Sequence, residues 1–400
     1  MSSSAPESDA RRVRLFGSLC ALVFLVNFGR VVFAPLITPL QADFTASNAA
    51  VGLVATLAWL GSALPRLPTG WLLTRVDRHQ VVLGTGGLLA VSSFGMTFAP
   101  TIEFVMLGAF LVGIASGAYF VAANPLISEL FPERVGRVVG VHGTASQLAA
   151  AVAPVFVGRV LLAFYSWRAP FYLLSAAAVA VTAVIYVLAG RTDLPEAGTA
   201  DRHLLRAIRR QYRVVLLGVV IVGVAGLVWN GFFNFYIKYL HATKSISEST
   251  AQTLLTVVFT AGVPAFWYTG RLADRFRHVP LMLAVLAGFV VSLLALTVVQ
   301  GLLAVALVSV VLGYSVHSLF PAIDTFLLDS LPDADRASAY AGYSAAMMVV
   351  QAFGSVVVGT LRGMGYAYDA VFRVGGLGLA VLVVALVALY RAGRLPAGAS

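Results

Sequence analysis

Long apolar segments run through almost the whole chain, and they restrict its fold more than any other feature. Of the 400 residues, 60% are hydrophobic and only 11% are charged, and the mean hydropathy is +0.90. A helix needs about 20 apolar residues to cross the hydrocarbon core of a bilayer. The sequence therefore predicts an all-α integral membrane protein, and it excludes soluble enzyme folds and nucleic-acid-binding modules.

Charged residues, prolines and glycines divide the apolar sequence into twelve predicted transmembrane helices. One segment between helices is long, residues 191–213, and it carries six arginines. We therefore expect an N-terminal six-helix bundle over 1–190, a cytoplasmic linker over 191–213 and a C-terminal six-helix bundle over 214–400. The predicted helices, numbered in chain order, are 13–40, 48–73, 80–98, 102–128, 138–164, 168–190, 214–239, 250–270, 279–298, 302–328, 338–361 and 368–391.

The basic residues are unevenly distributed between the two ends of the predicted helices. With both termini inside, most of the 27 Lys and Arg fall in cytoplasmic segments, as the positive-inside rule describes. The net charge of +10 is therefore explained by topology, without nucleic acid as a partner. We expect a multi-pass protein of the cell membrane with both termini in the cytoplasm.

The two halves of the chain resemble each other at a constant spacing of 200 residues. Six matched positions in one register indicate an internal duplication into two pseudo-symmetric bundles. Such a duplication is typical of secondary transporters, whose substrate site lies near the bilayer midplane between the halves. The matched positions are Gly70 and Gly270, Leu72 and Leu272, Arg75 and Arg275, Gly113 and Gly313, Glu129 and Asp329, and Pro132 and Pro332.

The loop after predicted helix 8, GRLADRFRH at 270–278, resembles the motif Gly-x-x-x-Asp-Arg-x-Gly-Arg of the major facilitator superfamily. In the first half Thr74 stands where the motif has aspartate. The resemblance implies that family's twelve-helix fold, transport by alternating access, and a role in coupling or gating for the matched residues. These are Gly270, Asp274 and Arg275 in the second half, and Gly70 and Arg75 in the first.

A local resemblance connects predicted helix 2 with the nitrate/nitrite porters. The stretch from Arg66 through Pro68 to Gly70 is similar to the place where that family has a substrate-binding arginine. A matching arginine in the second half is missing, because the equivalent position is Phe266. The resemblance therefore implies an anion as substrate without singling out nitrate.

Two arginines lie inside predicted spans. Arg66 is nine residues from Arg75 at the inner end of helix 2, which places it about 13 Å deep and near the midplane. Arg30 is about 24 Å from Arg14, beyond the middle of helix 1. An unpaired arginine at such depth is unfavourable, so each needs an acid, helix carbonyls, a water-filled cavity or a substrate anion. We expect Arg66 and Arg30 to bind substrate, together with Asn27, which shares a helix face with Arg30.

Predicted helix 10 has several polar residues at helical spacing. Tyr314, His317, Pro321 and Asp324 follow each other at i, i+3, i+7 and i+10, on one face. In the major facilitator superfamily the corresponding helix lines the central cavity, so the resemblance implies substrate contact for Tyr314. His317 and Asp324 could carry a proton, or they could be a hydrogen-bonded bundle residue and a gate ion-pair partner.

Predicted helix 7 combines amides with aromatic residues. Asn230 and Asn234 are spaced at i, i+4 and are candidate substrate ligands, although single amides more often join helices. Tyr236 and Tyr239 near the outer end are typical of an interfacial aromatic belt, and they also fit a gate.

The function that these observations favour is secondary active transport of a small organic or inorganic anion, coupled to protons. The first alternative is efflux of drugs or hydrophobic compounds by proton antiport, which the aromatic residues of helix 7 favour and the arginines disfavour. A non-transporting membrane sensor is an alternative of another class.

No catalytic chemistry is expected. The sequence has neither a phosphate-binding GxxxxGK[ST] loop nor an HExxH motif, and its single cysteine, Cys20, cannot form an intrachain disulfide. We therefore expect no enzyme activity, no cofactor and no metal. The predicted partners are a small-molecule substrate, protons and the lipid bilayer, with no obligate protein partner.

Overall fold

The computed structural model describes residues 4–73, 75–131, 135–192, 194, 204–273 and 275–396. Every regular element in these ranges is helical, and no strand occurs within them. The prediction of an all-α membrane protein is confirmed.

The twelve predicted helices are all present, several of them in consecutive segments. The first six are α1 (Ser4–Val31 and Phe33–Asp43), α2 (Asn48–Ala63 and Arg66–Leu72), α3 (Arg78–Met96), α4 (Ile102–Leu130), α5 (Val135–Val155, Phe156–Leu161 and Leu162–Phe164) and α6 (Ala169–Ala189). After a short helix, Leu204–Arg210, follow α7 (Tyr212–Gly218, Val219–Gly223 and Val224–Lys244), α8 (Glu248–Thr260 and Gly262–Ala273), α9 (His278–Val298), α10 (Leu302–Ser330), α11 (Asp333–Ala352 and Gly354–Gly363) and α12 (Tyr368–Arg391).

Within the described ranges, eleven helical stretches are long and apolar enough to cross a membrane by length and composition. The predicted span that does not reach this threshold is α3, which has 19 residues. Its first turn holds Arg78, His79 and Gln80, and these residues lower its hydropathy. Its equivalent in the second half, α9, does reach the threshold.

Some interruptions of the helices have local causes. In α2, Pro65 follows the first segment and precedes Arg66–Leu72, because proline has no N–H for the helical ladder. In α5 and α7, the middle segments Phe156–Leu161 and Val219–Gly223 are π-helical. A π turn accommodates one extra residue in a helix and is frequent at functional sites.

The folded chain consists of two compact units. Unit 1 comprises Met1–Phe33 and Leu57–Asp201, and unit 2 comprises Ala34–Thr56 and Arg202–Ser400. The division into six-helix bundles over 1–190 and 214–400 stays a prediction.

The repeat at 200 residues is visible in the helix bounds. Helix α4 has 29 residues and starts at Ile102, and α10 has the same length and starts at Leu302. Helix α3 starts at Arg78 and α9 at His278. The duplication inferred from residue identities therefore corresponds to repeated secondary structure.

Each unit contains one equivalent glycine contact between two helices. A Cβ atom on Gly113 of α4 would lie 2.3 Å from the carbonyl oxygen of Ala58 in α2. A Cβ on Gly313 of α10 would lie 2.2 Å from the carbonyl oxygen of Val258 in α8. Glycine permits helix backbones to touch in this way. These contacts fix the helix pairs that carry several of the polar residues described below.

Candidate functional site

In unit 1, the guanidinium of Arg30 lies among groups from three helices. It donates a hydrogen bond from Nη2 to Asn27 Oδ1 at 2.5 Å and one from Nη1 to Ser62 Oγ at 3.3 Å. Its Cζ atom lies 4.2 Å from the ring centroid of Trp59 and 5.9 Å from that of Phe120. The cation is thus held by two neutral oxygens and two aromatic faces.

No carboxylate in the described part of the chain pairs with Arg30. Its Nε is buried and has no hydrogen-bond partner among the described residues. Arg30 is half-buried, and a positive charge partly withdrawn from water without a counter-ion is unfavourable. The site is therefore electrostatically complementary to an anion.

Asn27 is oriented by its own neighbours. Its Nδ2 donates to the carbonyl oxygen of Ser146 in α5 at 2.6 Å, and its side chain is buried. This bond fixes the amide oxygen on the side of Arg30. Asn27 and Arg30, which the sequence places on one helix face, are therefore in contact. The bond from Asn27 to Ser146 connects α1 with α5.

Arg66 contacts the same serine as Arg30, from the other side of the α2 break. Its Nε donates to the carbonyl oxygen of Ser62 at 3.3 Å, and the residue is half-buried. Ser62 thus accepts one arginine at its hydroxyl and the other at its backbone oxygen. The structure brings the two predicted substrate arginines to one residue, although substrate binding by either stays a prediction.

In unit 2, the amides of α7 join helices. Asn230 Oδ1 accepts a hydrogen bond from Ser355 Oγ of α11 at 2.7 Å. Asn234 Nδ2 donates to the backbone oxygen of Asn230 at 2.9 Å. Both amides are almost completely buried. Asn230 Nδ2 is buried without a partner among the described residues, and substrate binding by the two amides stays a prediction.

His317 lies in an aromatic environment. Its Nδ1 donates to the carbonyl oxygen of Gly313 at 2.7 Å. Its ring centroid is 5.5 Å from that of Trp229 and 5.7 Å from that of Phe259. The side chain is buried. This arrangement gives His317 a defined orientation, and its role in proton coupling stays a prediction.

The two other predicted residues of α10 differ from His317 in their contacts. Asp324 accepts a hydrogen bond at Oδ1 from the hydroxyl of Tyr340 in α11 at 2.8 Å. Tyr314 is half-buried, and its backbone oxygen accepts a bond from Ser318. His317 faces rings of α7 and α8, while Asp324 faces α11.

The loop-motif residues are only partly described. Asp274 and Thr74 lie outside the described residues. Gly70 is within α2, Gly270 is within α8, and Arg275 follows the end of α8. Arg75 stacks on Trp71, with its Cζ 4.1 Å from the ring centroid. Their predicted role in coupling or gating stays a prediction.

Ion pairs connect equivalent helix ends in the two units. Arg78 Nη2 lies 2.9 Å from Glu129 Oε1 in unit 1, and His278 Nε2 lies 3.1 Å from Asp329 Oδ2 in unit 2. Arg78 and His278 are 200 positions apart, and so are Glu129 and Asp329. The unit 1 pair is an arginine–carboxylate pair, whereas the unit 2 pair is charged only when the histidine is protonated.

The prediction of an interfacial aromatic belt on α7 is wrong for its two tyrosines. Tyr236 and Tyr239 are fully buried. The hydroxyl of Tyr236 is 2.5 Å from Ser309 Oγ, and the hydroxyl of Tyr239 donates to Asp369 Oδ1 at 2.8 Å. A buried hydroxyl needs a partner inside the protein, so these tyrosines are core residues.

A pair of polar residues in unit 1 was not predicted from the sequence. Tyr119 of α4 and His142 of α5 are both buried, and their polar atoms are 3.0 Å apart. Neither belongs to a motif, and 23 residues separate them in sequence. Tyrosine and histidine in predicted membrane helices were the only available signal.

A family model described as Major Facilitator Superfamily matches residues 19–243 and 218–399. The chain is similar to the "Probable anion transporter 6, chloroplastic" of Arabidopsis thaliana, with 28% identity over 172 residues, 41% of this chain and 32% of the plant protein. It is similar to the "Arabinose-proton symporter" of Escherichia coli (strain K12), with 27% identity over 187 residues, 45% of this chain and 39% of the symporter. The matches span less than half the length of these curated relatives.

A solved structure shares the fold over nearly the whole chain. The bacterial homolog to the human lysosomal transporter Spinster, in an inward-facing and occupied conformation, has a TM-score of 0.76. The similarity covers 95% of this chain and 96% of that chain, with 15% sequence identity. At this identity the likeness concerns the fold alone.

Proposed function

This chain belongs to the Major Facilitator Superfamily, and we propose on that basis that it is a secondary active transporter of a small organic or inorganic anion. Transport proceeds by alternating access and is coupled to protons. We place the protein in the cell membrane with both termini in the cytoplasm, following the distribution of basic residues. The similarity to a plant anion transporter and to a proton symporter is consistent with this proposal.

The observation that carries the proposal is the environment of Arg30. Its guanidinium is held by neutral groups, pairs with no described carboxylate and shares Ser62 with Arg66. A bound anion would supply the missing counter-charge and would accept from guanidinium N–H groups. Two arginines held at one residue suit a carboxylate or an inorganic oxyanion better than they suit a cation.

Proton coupling is assigned to titratable residues within the membrane helices. His317 and Asp324 are the candidates in unit 2, with Tyr314, Asn230 and Asn234 as further polar side chains for the substrate. Asp274, Arg275, Gly270, Gly70 and Arg75 belong to the loop motif and are assigned to conformational coupling. An intramembrane ionisable residue is a functional candidate because its burial would otherwise be disfavoured.

The test is uptake by proteoliposomes that contain the purified full chain. Labelled benzoate, nitrate, phosphate and the lipophilic cation tetraphenylphosphonium are each offered with and without an imposed pH gradient. We expect gradient-driven accumulation of at least one anion, and its loss in Arg30→Gln and in Arg66→Ala. Arg137→Ala is the matched control, because Arg137 is exposed at the start of α5.

The outcomes separate the competing functions. Transport of every anion unchanged in folded Arg66→Ala and Arg30→Gln protein would refute the anion site. Movement of the lipophilic cation alone would support efflux of hydrophobic compounds. Absence of any transport, with ligand binding retained, would support a sensor.

A further inference from the structure

A second polar group in unit 1 lies close to the arginine site. The hydroxyl of Tyr119 donates to the backbone carbonyl of Leu19 in α1 at 2.6 Å. The same hydroxyl oxygen is 3.0 Å from His142 Nε2. The imidazole ring stacks on the tyrosine ring, with centroids 5.7 Å apart and planes at 25°. Three helices, α1, α4 and α5, meet at this group.

The hydrogen bonds fix which atom of His142 carries the proton. A carbonyl oxygen can only accept, so the single hydroxyl proton of Tyr119 is directed to Leu19. The tyrosine oxygen therefore accepts from His142, and Nε2 is the protonated nitrogen. The lone pair of the neutral imidazole is then on Nδ1. Among the described residues, the hydrogen bond that His142 makes through its side chain is this one from Nε2 to Tyr119.

His142 is coupled to Arg30 through a shared neighbour. The ring of Phe120 has its centroid 6.4 Å from that of His142 and 5.9 Å from Arg30 Cζ. The imidazole and the guanidinium are therefore at most about 12 Å apart. A charge at this distance shifts the binding of another charge by about tenfold at an effective dielectric constant of 20.

The other titratable and charged groups around His142 are few. Helix α1 contributes Cys20, which interacts with Tyr119, and Arg30. Helix α4 contributes Tyr119 itself. On α5 the next basic residue, Arg137, is exposed. No described carboxylate pairs with His142 or Arg30, so an anion bound at Arg30 would supply a negative charge that stabilises a protonated His142.

We propose that His142 takes up the first proton when an anion binds beside Arg30. This assignment rests on the proposed anion site. One proton from solution adds to Nδ1, and the resulting imidazolium keeps its Nε2–H bond to Tyr119. The bound anion and the proton then stabilise each other, and the effect is reciprocal because it is a coupling free energy. His142 would thus bind a proton while Arg30 binds the anion, both in unit 1, without requiring His317 or Asp324 to bind the first proton.

The first experiment measures anion binding to the purified full chain as a function of pH. Benzoate and nitrate are the probes, because each keeps one negative charge between pH 5.5 and 8. We expect the affinity to rise by up to about tenfold as the pH falls from 8 to 5.5, because a protonated imidazole attracts the bound anion. The His142→Gln variant keeps an N–H donor for Tyr119 but does not titrate, so its affinity should be independent of pH. His241→Gln is the matched control, because His241 is an exposed histidine of unit 2.

A second readout needs no ligand. Histidine resonances are followed by NMR during a pH titration of the wild type, His142→Gln and Arg30→Gln. We expect one titrating signal to be missing in His142→Gln. In Arg30→Gln the midpoint of the same signal should shift by about one pH unit, because a positive charge about 12 Å away has been removed. An unchanged midpoint in Arg30→Gln would overturn the proposal even if neither probe binds.

The two proposals fail in different ways. Anion binding that survives in folded Arg30→Gln protein refutes the anion site. Binding that requires Arg30 but keeps its pH dependence in His142→Gln refutes the role of His142 alone. Loss of the pH dependence in His317→Gln, with retention in His142→Gln, would assign the proton to unit 2 instead.

Discussion

The equivalent helix contacts at Gly113 and Gly313 allow a quantitative prediction about stability. In Gly113→Ala the new Cβ would lie 2.3 Å from the Ala58 carbonyl oxygen, about 1 Å closer than an ordinary contact. The obstructing atom belongs to the backbone, so it cannot rotate away and the two helices must separate. Overpacking of this kind destabilises by about 1–3 kcal/mol. Gly313→Ala should behave alike, because its Cβ would lie 2.2 Å from the Val258 oxygen.

Matched controls separate this clash from the general effect of alanine. A Cβ on Gly87 of α3 or on Gly378 of α12 would meet no atom within 4 Å. Alanine at these helical positions should leave stability unchanged or raise it by about 0.5–1 kcal/mol. The assay is unfolding of the detergent-solubilised protein by increasing SDS, followed by helical circular dichroism. If Gly113→Ala unfolded at the same SDS fraction as Gly87→Ala, the inferred backbone contact between α4 and α2 would be wrong.

Three further changes test individual contacts. Tyr236→Phe should lower the stability measured by the same SDS titration by about 1 kcal/mol, because the buried Ser309 hydroxyl loses its partner; unchanged stability would contradict the buried bond. Asn27→Leu should destabilise by about 1–3 kcal/mol and weaken anion binding, since it removes the acceptor that orients Arg30; normal binding would contradict that role. Gly262→Ala should displace the His317 ring, whose Cγ would lie 2.7 Å from the new Cβ. It should therefore reduce proton-driven uptake while ligand-driven exchange persists. Unaltered uptake would argue against His317 as a coupling residue.

Much of the fold could be predicted from the sequence, because a membrane helix must satisfy its own backbone hydrogen bonds and present apolar side chains. For α10 the predicted start at residue 302 agrees with the structure, and the end at Ser330 lies two residues beyond the predicted one. The interruption of α1 after Val31 was not predicted, since apolar sequence continues through it. Hydropathy is insensitive to a local break of this kind.

The candidate site was predictable only where its partners are close in sequence. Asn27 and Arg30 are three residues apart, and helical geometry alone places them together. The contact of both arginines with Ser62 depends on how α1 packs on α2. Tyr119 and His142 depend on the packing of α4 on α5, and nothing local marks them. The belt interpretation of Tyr236 and Tyr239 was wrong, because composition cannot distinguish a buried tyrosine from one at the lipid surface.

The π-helical segments of α5 and α7 have a consequence for how these helices tolerate length changes. Each segment behaves as a one-residue insertion absorbed inside a helix. Removing one residue from Val219–Gly223 would restore a regular helix with its far part in the same phase, whereas relaxation of the turn to α-helix with every residue kept would rotate everything beyond it by about 100°. Asn230 would then turn away from Ser355. The wide turn thus sets the phase of the helix: a single-residue deletion within it should keep Asn230 at Ser355, and the same deletion in the regular helix between the turn and Asn230 should not.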